Sequence, residues 1–244
     1  MLFFAPLIAA PVYYLMIIYV LAAVLPAGLL MRYVYRQDTI EKEPPWLLAN
    51  LVLQGILAAL VSIALEAFGE TVLNALVQPD NPKYVVLLAF LVVAVVEEGT
   101  KFFFLHQKTW RSPDFNYRYD AIVYAVFVSL GFAAFENVKY IFNYGLSVAL
   151  PRAILAIPGH MSFAVFMGVF YGRAKLCEDC GNRAGCMLNL IISYLSAVIL
   201  HGVYDTCCMS GTTRSTAIFV GFIVLMYLAV FLTIRRESRH DMPV

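Results

Sequence analysis

The sequence predicts an all-α membrane protein, a polytopic helix bundle of about seven transmembrane helices. Two observations carry that prediction. Of 244 residues, 62% are hydrophobic and only 14% are charged, where soluble domains sit near roughly 45–50% and 25%. The apolar residues also fall in blocks of about 20, the length that spans a bilayer as a helix. Mean hydropathy is +0.79. A net charge of +1 leaves no basic face for nucleic acid.

Seven spans follow in order, at 5–30, 46–68, 84–105, 119–141, 152–174, 187–209 and 214–234. Span 1 begins with no basic residue before Leu15, so it reads as a retained helix rather than a cleaved signal peptide. Span 2 starts after Pro44-Pro45 and continues as an amphipathic stretch over 66–77, where Glu66, Glu70 and Asn74 are mixed with apolar residues. Span 3 follows Pro79 and Pro82, span 4 follows Ser112-Pro113, and span 5 follows Pro151. Gly181 and Gly185 separate spans 5 and 6, and span 7 is apolar throughout. No loop is long enough to hold a soluble domain. No internal repeat is visible, which opposes an inverted-repeat transporter.

Lysine and arginine orient the bundle. Twelve of the seventeen lie in the loops after spans 1, 3 and 5 and in the C-terminal tail. Only Lys83, Arg152 and Arg214 lie on the opposite side, while Lys101 and Lys139 fall inside spans. The positive-inside rule therefore predicts an external N-terminus and a cytoplasmic C-terminus.

Ionisable residues inside spans are expensive and mark function by default. Here they gather in spans 3 to 6: Glu97, Glu98 and Lys101, then Glu136 and Lys139, then His160, then His201 and Asp205. A polar core formed by spans 3–6 is expected, with spans 1 and 7 as packing. On a helical wheel Lys101 projects between the two glutamates, which themselves diverge by about 100°. Its ammonium would hold the acids charged in a low-dielectric setting. His201 and Asp205, four residues apart, share a face, so the acid would orient the ring, or both would ligate a metal. Glu136 and Tyr140 have the same spacing, with Asn137 beside them, and suit helix bridging or the orientation of a neighbouring histidine. His160 follows Pro158-Gly159, which would weaken the helix and free backbone carbonyls there. Gly168 and Gly172 form a GxxxG packing face. Cys177, Cys180 and Cys186 lack a fourth metal ligand in their loop and read as free cytoplasmic thiols.

Two acids and two histidines on neighbouring helices suggest hydrolysis. A glutamate would take a proton from water, and a histidine would stabilise the oxyanion or protonate the leaving group. GxSxG and HExxH are absent. The competing class is a proton-coupled membrane transporter, in which the same groups would relay protons.

As a set these residues resemble a known family. Glu97-Glu98-Gly-Thr-Lys101 resembles an EExxK motif, and Phe135-Glu136-Asn137-Val-Lys-Tyr140 an FENxxY segment. Residues 152–160, ending in His160, resemble a third motif, and His201-Gly-Val-Tyr-Asp205 a closing HxxxD. The acidic loop Asp38 to Pro44 also matches. The family is the PrsW intramembrane proteases, relatives of the CAAX prenyl proteases. The resemblance implies a single integral-membrane protease domain over 1–244 in a bacterial or archaeal cell membrane. It also implies an endopeptidase that cuts membrane-anchored proteins in the bilayer, with site-1 cleavage of an anti-sigma factor as the family's role in regulated proteolysis. It points to Glu97, Glu98, His160 and His201 as catalytic, supported by Lys101, Glu136, Asn137, Tyr140 and Asp205. Two mechanisms fit, water activated by glutamate without a cofactor or a metal-dependent version using a divalent ion such as zinc. The first is favoured, because adjacent carboxylates diverging by about 100° are not expected to face one metal.

Overall fold

The computed structural model describes residues 5–244, with side chains from Tyr13 onward. Residues 1–4, part of the leader expectation above, lie outside it. Seven helical passes follow one another: α1 (Ala5–Gln37), α2 (Pro45–Leu76), α3 (84–109), α4 (Asp120–Tyr144), α5 (146–179), α6 (Arg183–Met209) and α7 (Thr213–Arg239). Among the described residues there is no sheet, only an isolated bridge between Tyr117 and Pro243. Six passes are apolar and long enough to cross a membrane. The exception, α3, is the pass that carries Glu97, Glu98 and Lys101. The expected continuation of span 2 is real, since α2 runs unbroken to Leu76.

Two passes contain a widened π-helical turn, Leu88–Ala94 in α3 and Arg152–Ala156 in α5. Such turns shift side chains relative to an α-helix and are frequent at functional sites. The local weakening expected at Pro158-Gly159 thus appears one turn earlier. Pro158, which has no N–H to donate, follows directly on that widened turn.

The central helix is α4, buried almost continuously from Asp120 to Ala134. It packs on α1, α2 and α5, while α5 packs on α6, and α7 lies against α5 and α6. Glycines allow the closest crossings. A Cβ on Gly131 would lie 2.4 Å from the Val52 carbonyl oxygen, and one on Gly55 would lie 2.0 Å from that of Val128, so α2 and α4 touch backbone to backbone. The GxxxG face behaves as expected. A Cβ on Gly168 would meet Ile122 Cα at 2.6 Å, and one on Gly172 the Arg118 carbonyl at 2.7 Å, both in or next to α4.

The ends of the bundle differ. At the basic end the 38–44 and 110–119 loops and the tail interlock. The Tyr119 N–H donates to Asp241 Oδ1 at 2.9 Å, and Arg118 pairs with Glu237 at 3.0 Å. The Tyr124 hydroxyl lies 2.8 Å from Glu43 Oε2 and 2.9 Å from the Asp114 carbonyl oxygen. Just inside, Tyr171 stacks on Phe115 at 5.6 Å and packs against Trp110 at 5.1 Å, forming an aromatic floor. At the opposite, charge-poor end a cavity of about 370 Å³ enters the bundle.

Candidate active site

The polar residues singled out from α3, α4, α5 and α6 meet in one connected network. Lys101 lies one turn along α3 from both glutamates. Its Nζ donates to Glu97 Oε2 at 3.0 Å and to Glu98 Oε1 at 2.8 Å. It also lies 3.2 Å from His160 Nδ1 and 4.0 Å from the Phe132 ring centre. An ammonium only donates, so His160 Nδ1 is the acceptor and the ring proton sits on Nε2. That N–H donates to Glu136 Oε2 at 3.1 Å. The orientation of a histidine by Glu136 is thus present, across the α4–α5 contact.

His201 sits on the other side of Glu98. Its Nδ1 is 2.9 Å from Glu98 Oε1, and its Nε2 is 3.3 Å from Asp205 Oδ2. Both nitrogens face carboxylates, an arrangement that a doubly protonated ring satisfies by donating twice. The two imidazoles stand edge to face with centroids 5.5 Å apart, and Phe163 stacks on His201 at 4.8 Å.

Arg152 completes the network, although sequence reasoning placed it only at the outer start of span 5 and in the third motif, without a role at the site. Its Nη2 donates to Glu136 Oε2 at 2.8 Å and its Nε to Asn137 Oδ1 at 2.8 Å. Its guanidinium lies 3.8 Å from the centre of the Tyr140 ring. Asn137 in turn donates to the Ala23 carbonyl of α1 at 2.9 Å. Glu136, Asn137 and Tyr140 therefore all grip one arginine. The available signal was that Arg152 lies eight residues before His160, two turns along the same pass.

Glu97, Glu98, Lys101, Asn137, His160 and His201 are all buried. Glu97, Glu136, Arg152, His160, His201 and Asp205 line the cavity, whereas Glu98 and Lys101 lie behind its wall. Lys139, also expected in the core, is exposed at the lip.

One expectation is overturned. The adjacent carboxylates of Glu97 and Glu98 do converge, because two methylenes let each side chain swing back to the shared Lys101 ammonium. The wheel angle fixes only the Cα–Cβ directions. Glu97, Glu98 and His201 each bring a ligand atom within 4.8 Å of the others. Glu98 Oε2 is buried without a hydrogen-bond partner. Two carboxylates and an imidazole are a donor set suited to zinc, and Asp205 behind His201 is the carboxylate that orients a ligating ring. The residues fit a divalent ion.

Comparison with known proteins decides the class. A family profile described as "PrsW family intramembrane metalloprotease" matches residues 43–234. The chain belongs to the PrsW family. It is similar to Protease PrsW of Shouchella clausii, 31% identical over 92% of this chain and 99% of that protein. Protease PrsW of Oceanobacillus iheyensis is 29% identical over 90% of this chain and 95% of its own length. Protease PrsW of Bacillus subtilis is 31% identical over 75% and 79% respectively. No solved structure matches. Membership of the PrsW family makes this chain a membrane-embedded peptidase rather than a transporter.

Proposed function

We propose that this PrsW-family chain is an endopeptidase that hydrolyses a peptide bond of a membrane-anchored protein, such as an anti-sigma factor, with water activated by Glu97. One observation carries the reading: of the two adjacent acids, only Glu97 lies on the cavity wall, beside both imidazoles. Glu97 takes the proton of the attacking water. Glu98, behind the wall, holds Lys101 and His201 in place. The positive charge of His201 on the cavity wall, with Lys101 behind it, stabilises the oxyanion as it develops, inside a site where such charge is little screened. His160, fixed between Lys101 and Glu136, borders the same space. The excess of lysine and arginine at the opposite end supports an external cavity mouth, and the substrate is then cut near the outer end of its transmembrane helix, as a site-1 cleavage requires.

The Glu97, Glu98 and His201 cluster favours a second reading, the metal-dependent version of the same protease. These three residues would hold a divalent ion such as zinc, with Asp205 accepting the His201 Nε2 proton. When bound, the ion supplies Lewis-acid polarisation and a more acidic water.

The test is cleavage of a membrane-anchored substrate by purified protein in liposomes, with products identified by mass. Glu97→Gln should lower the rate by about 10²–10⁴. A wild-type protein that cleaves no such substrate, or a fully active Glu97→Gln variant, overturns the proposal. Metal analysis and chelation divide the two mechanisms. Turnover that survives chelation supports the metal-free one, and loss restored by zinc supports the other.

A further inference from the structure

The cavity contains an acid outside every motif described above. Glu66 lies on α2, outside the polar core expected from spans 3–6, yet it lines the same cavity as Glu97, Glu136, His160 and His201. Its Oε1 is buried and has no hydrogen-bond partner. The charged groups facing it are Glu97 and Lys101 from α3 and Glu136 and Lys139 from α4. None of them forms an ion pair with it.

Helix register fixes its depth. Ser62 Oγ and Thr100 Oγ1 are 2.7 Å apart, which locks α2 to α3, and Thr100 Oγ1 donates to the Glu97 carbonyl at 3.0 Å. The two passes are antiparallel. One turn along α2 from Ser62 is Glu66, and one turn back along α3 from Thr100 is Glu97, so the two carboxyls come level. Beyond them the passes stay in contact, because a Cβ on Gly69 would lie 3.0 Å from Val92 Cγ1. Glu66 is thus held between two interhelical contacts, at the depth of the proposed base and lining the same cavity.

We propose that Glu66 is the proton donor to the leaving nitrogen, an inference that rests on the proteolytic reading above. A carboxyl that shares its cavity with two other acids, with one oxygen buried and unpaired, suits the acid form, and peptide hydrolysis needs one acid and one base. In the first step the water oxygen bonds to the carbonyl carbon as its proton passes to Glu97. In the second step the carbonyl re-forms and the C–N bond breaks. Its electron pair stays on nitrogen, which takes the Glu66 proton. The products are a carboxylic acid and an amine. The proton on Glu97 then returns to the Glu66 carboxylate, and both groups are reset with one water consumed.

The experiment compares Glu66→Gln and Glu66→Asp with wild type in the full-length protein. The probes are a membrane-anchored peptide substrate and its counterpart with an ester at the scissile position. An ester leaving group depends far less on protonation than an amide nitrogen. Glu66→Gln should lower kcat on the amide by about 10² or more with KM nearly unchanged, while the ester rate stays within about tenfold. Glu66→Asp should recover part of the amide rate. Equal losses on both substrates, or full amide activity in Glu66→Gln, overturn the assignment while leaving Glu97 untouched. A wild-type protein inactive on both probes overturns the proteolytic reading instead. A Glu66→Gln chain that fails to fold leaves Glu66→Asp to decide, where amide loss without ester loss is still required.

Discussion

Removing the Lys101 ammonium while leaving its acids in place tests the centre of the network. In Lys101→Met the Glu97 and Glu98 carboxylates lose a cation at 3.0 and 2.8 Å respectively. At an effective dielectric of about 20, each attraction is worth about 6 kcal/mol at that separation, before the cost of desolvating the charges is subtracted. Breaking a buried pair by deleting one partner costs about 3–5 kcal/mol net, because the remaining charge stays buried. Here two carboxylates are left, and His160 also loses its donor at 3.2 Å. A loss at the upper end of that range is expected. At about 2–4 °C per kcal/mol for a chain of this size, the melting temperature in detergent should fall by about 10–20 °C. Cleavage of the membrane-anchored substrate should fall by at least about 10². The origin of the loss is testable by a triple variant in which both glutamates become glutamine alongside Lys101→Met. That chain should recover most of the stability, because no unpaired charge is left, but none of the activity. A Lys101→Met protein that melts and turns over like wild type would refute the ion-pair reasoning.

Other expectations follow from separate features. Gly131→Ala puts a methyl 2.4 Å from the Val52 carbonyl oxygen and should destabilise by about 1–3 kcal/mol. Gly28→Ala, with nothing within 4 Å, should be neutral or stabilise by up to about 1 kcal/mol, and thermal melts of the two separate crossing from propensity effects. Cys208 lines the cavity, whereas Cys180 is exposed at the basic end. An impermeant maleimide on intact cells should therefore label Cys208 and block cleavage, and should reach Cys180 only after permeabilisation. Labelling of Cys180 from outside would invert the proposed orientation. At the basic end, burial raises the Asp38 carboxyl from 3.8 to about 6, with Asp241 adding to the rise against Lys42. Burial and the neighbouring Asp120 raise Glu43 as well. The folded state therefore holds protons that the unfolded chain releases above about pH 4, so stability should fall as pH rises from 4 through 6 and beyond. Asp38→Asn and Glu43→Gln should each flatten that fall in melts across pH 4 to 9. A wild-type protein whose stability climbs over the same range would contradict the sign.

Much of this site was legible because a bilayer makes polar residues conspicuous. Glu97, His160 and His201 stand out against apolar neighbours, and their grouping in spans 3 to 6 needed only span length and charge cost. Other parts were hidden for geometric reasons. Arg152 follows Pro151 at a span boundary, where an arginine looks like a loop residue, and only the fold turns it back toward Glu136. Glu66 looked like the polar face of an amphipathic extension, because nothing on α2 itself shows that Ser62 is tied to Thr100. The convergence of Glu97 and Glu98 was missed because a helical wheel describes where side chains leave the backbone and ignores how far a glutamate reaches. For Glu136 the sequence left two readings, helix bridging or orientation of a neighbouring histidine, and only the fold brings His160 Nε2 within 3.1 Å of it.

The π-helical turn at Leu88–Ala94 makes α3 two helices with different angular phases joined end to end. The turn itself presents Phe90 to Gly202, where a Cβ would come within 2.4 Å of the ring. The second part presents Glu97 to the cavity. A π turn holds about one residue more than an α turn, so it acts as a slot for chain-length change inside a membrane helix. Deleting a residue within 88–94 would restore a regular helix and leave Glu97, Glu98 and Lys101 in register with His160. The cost would fall on Tyr84–Leu87, swung round by about 100°. The same deletion a turn later, after Val95, would turn Glu97 away from the cavity and Glu98 away from His201. Single-residue gaps among related chains should therefore collect within 88–94 and stop at Val95.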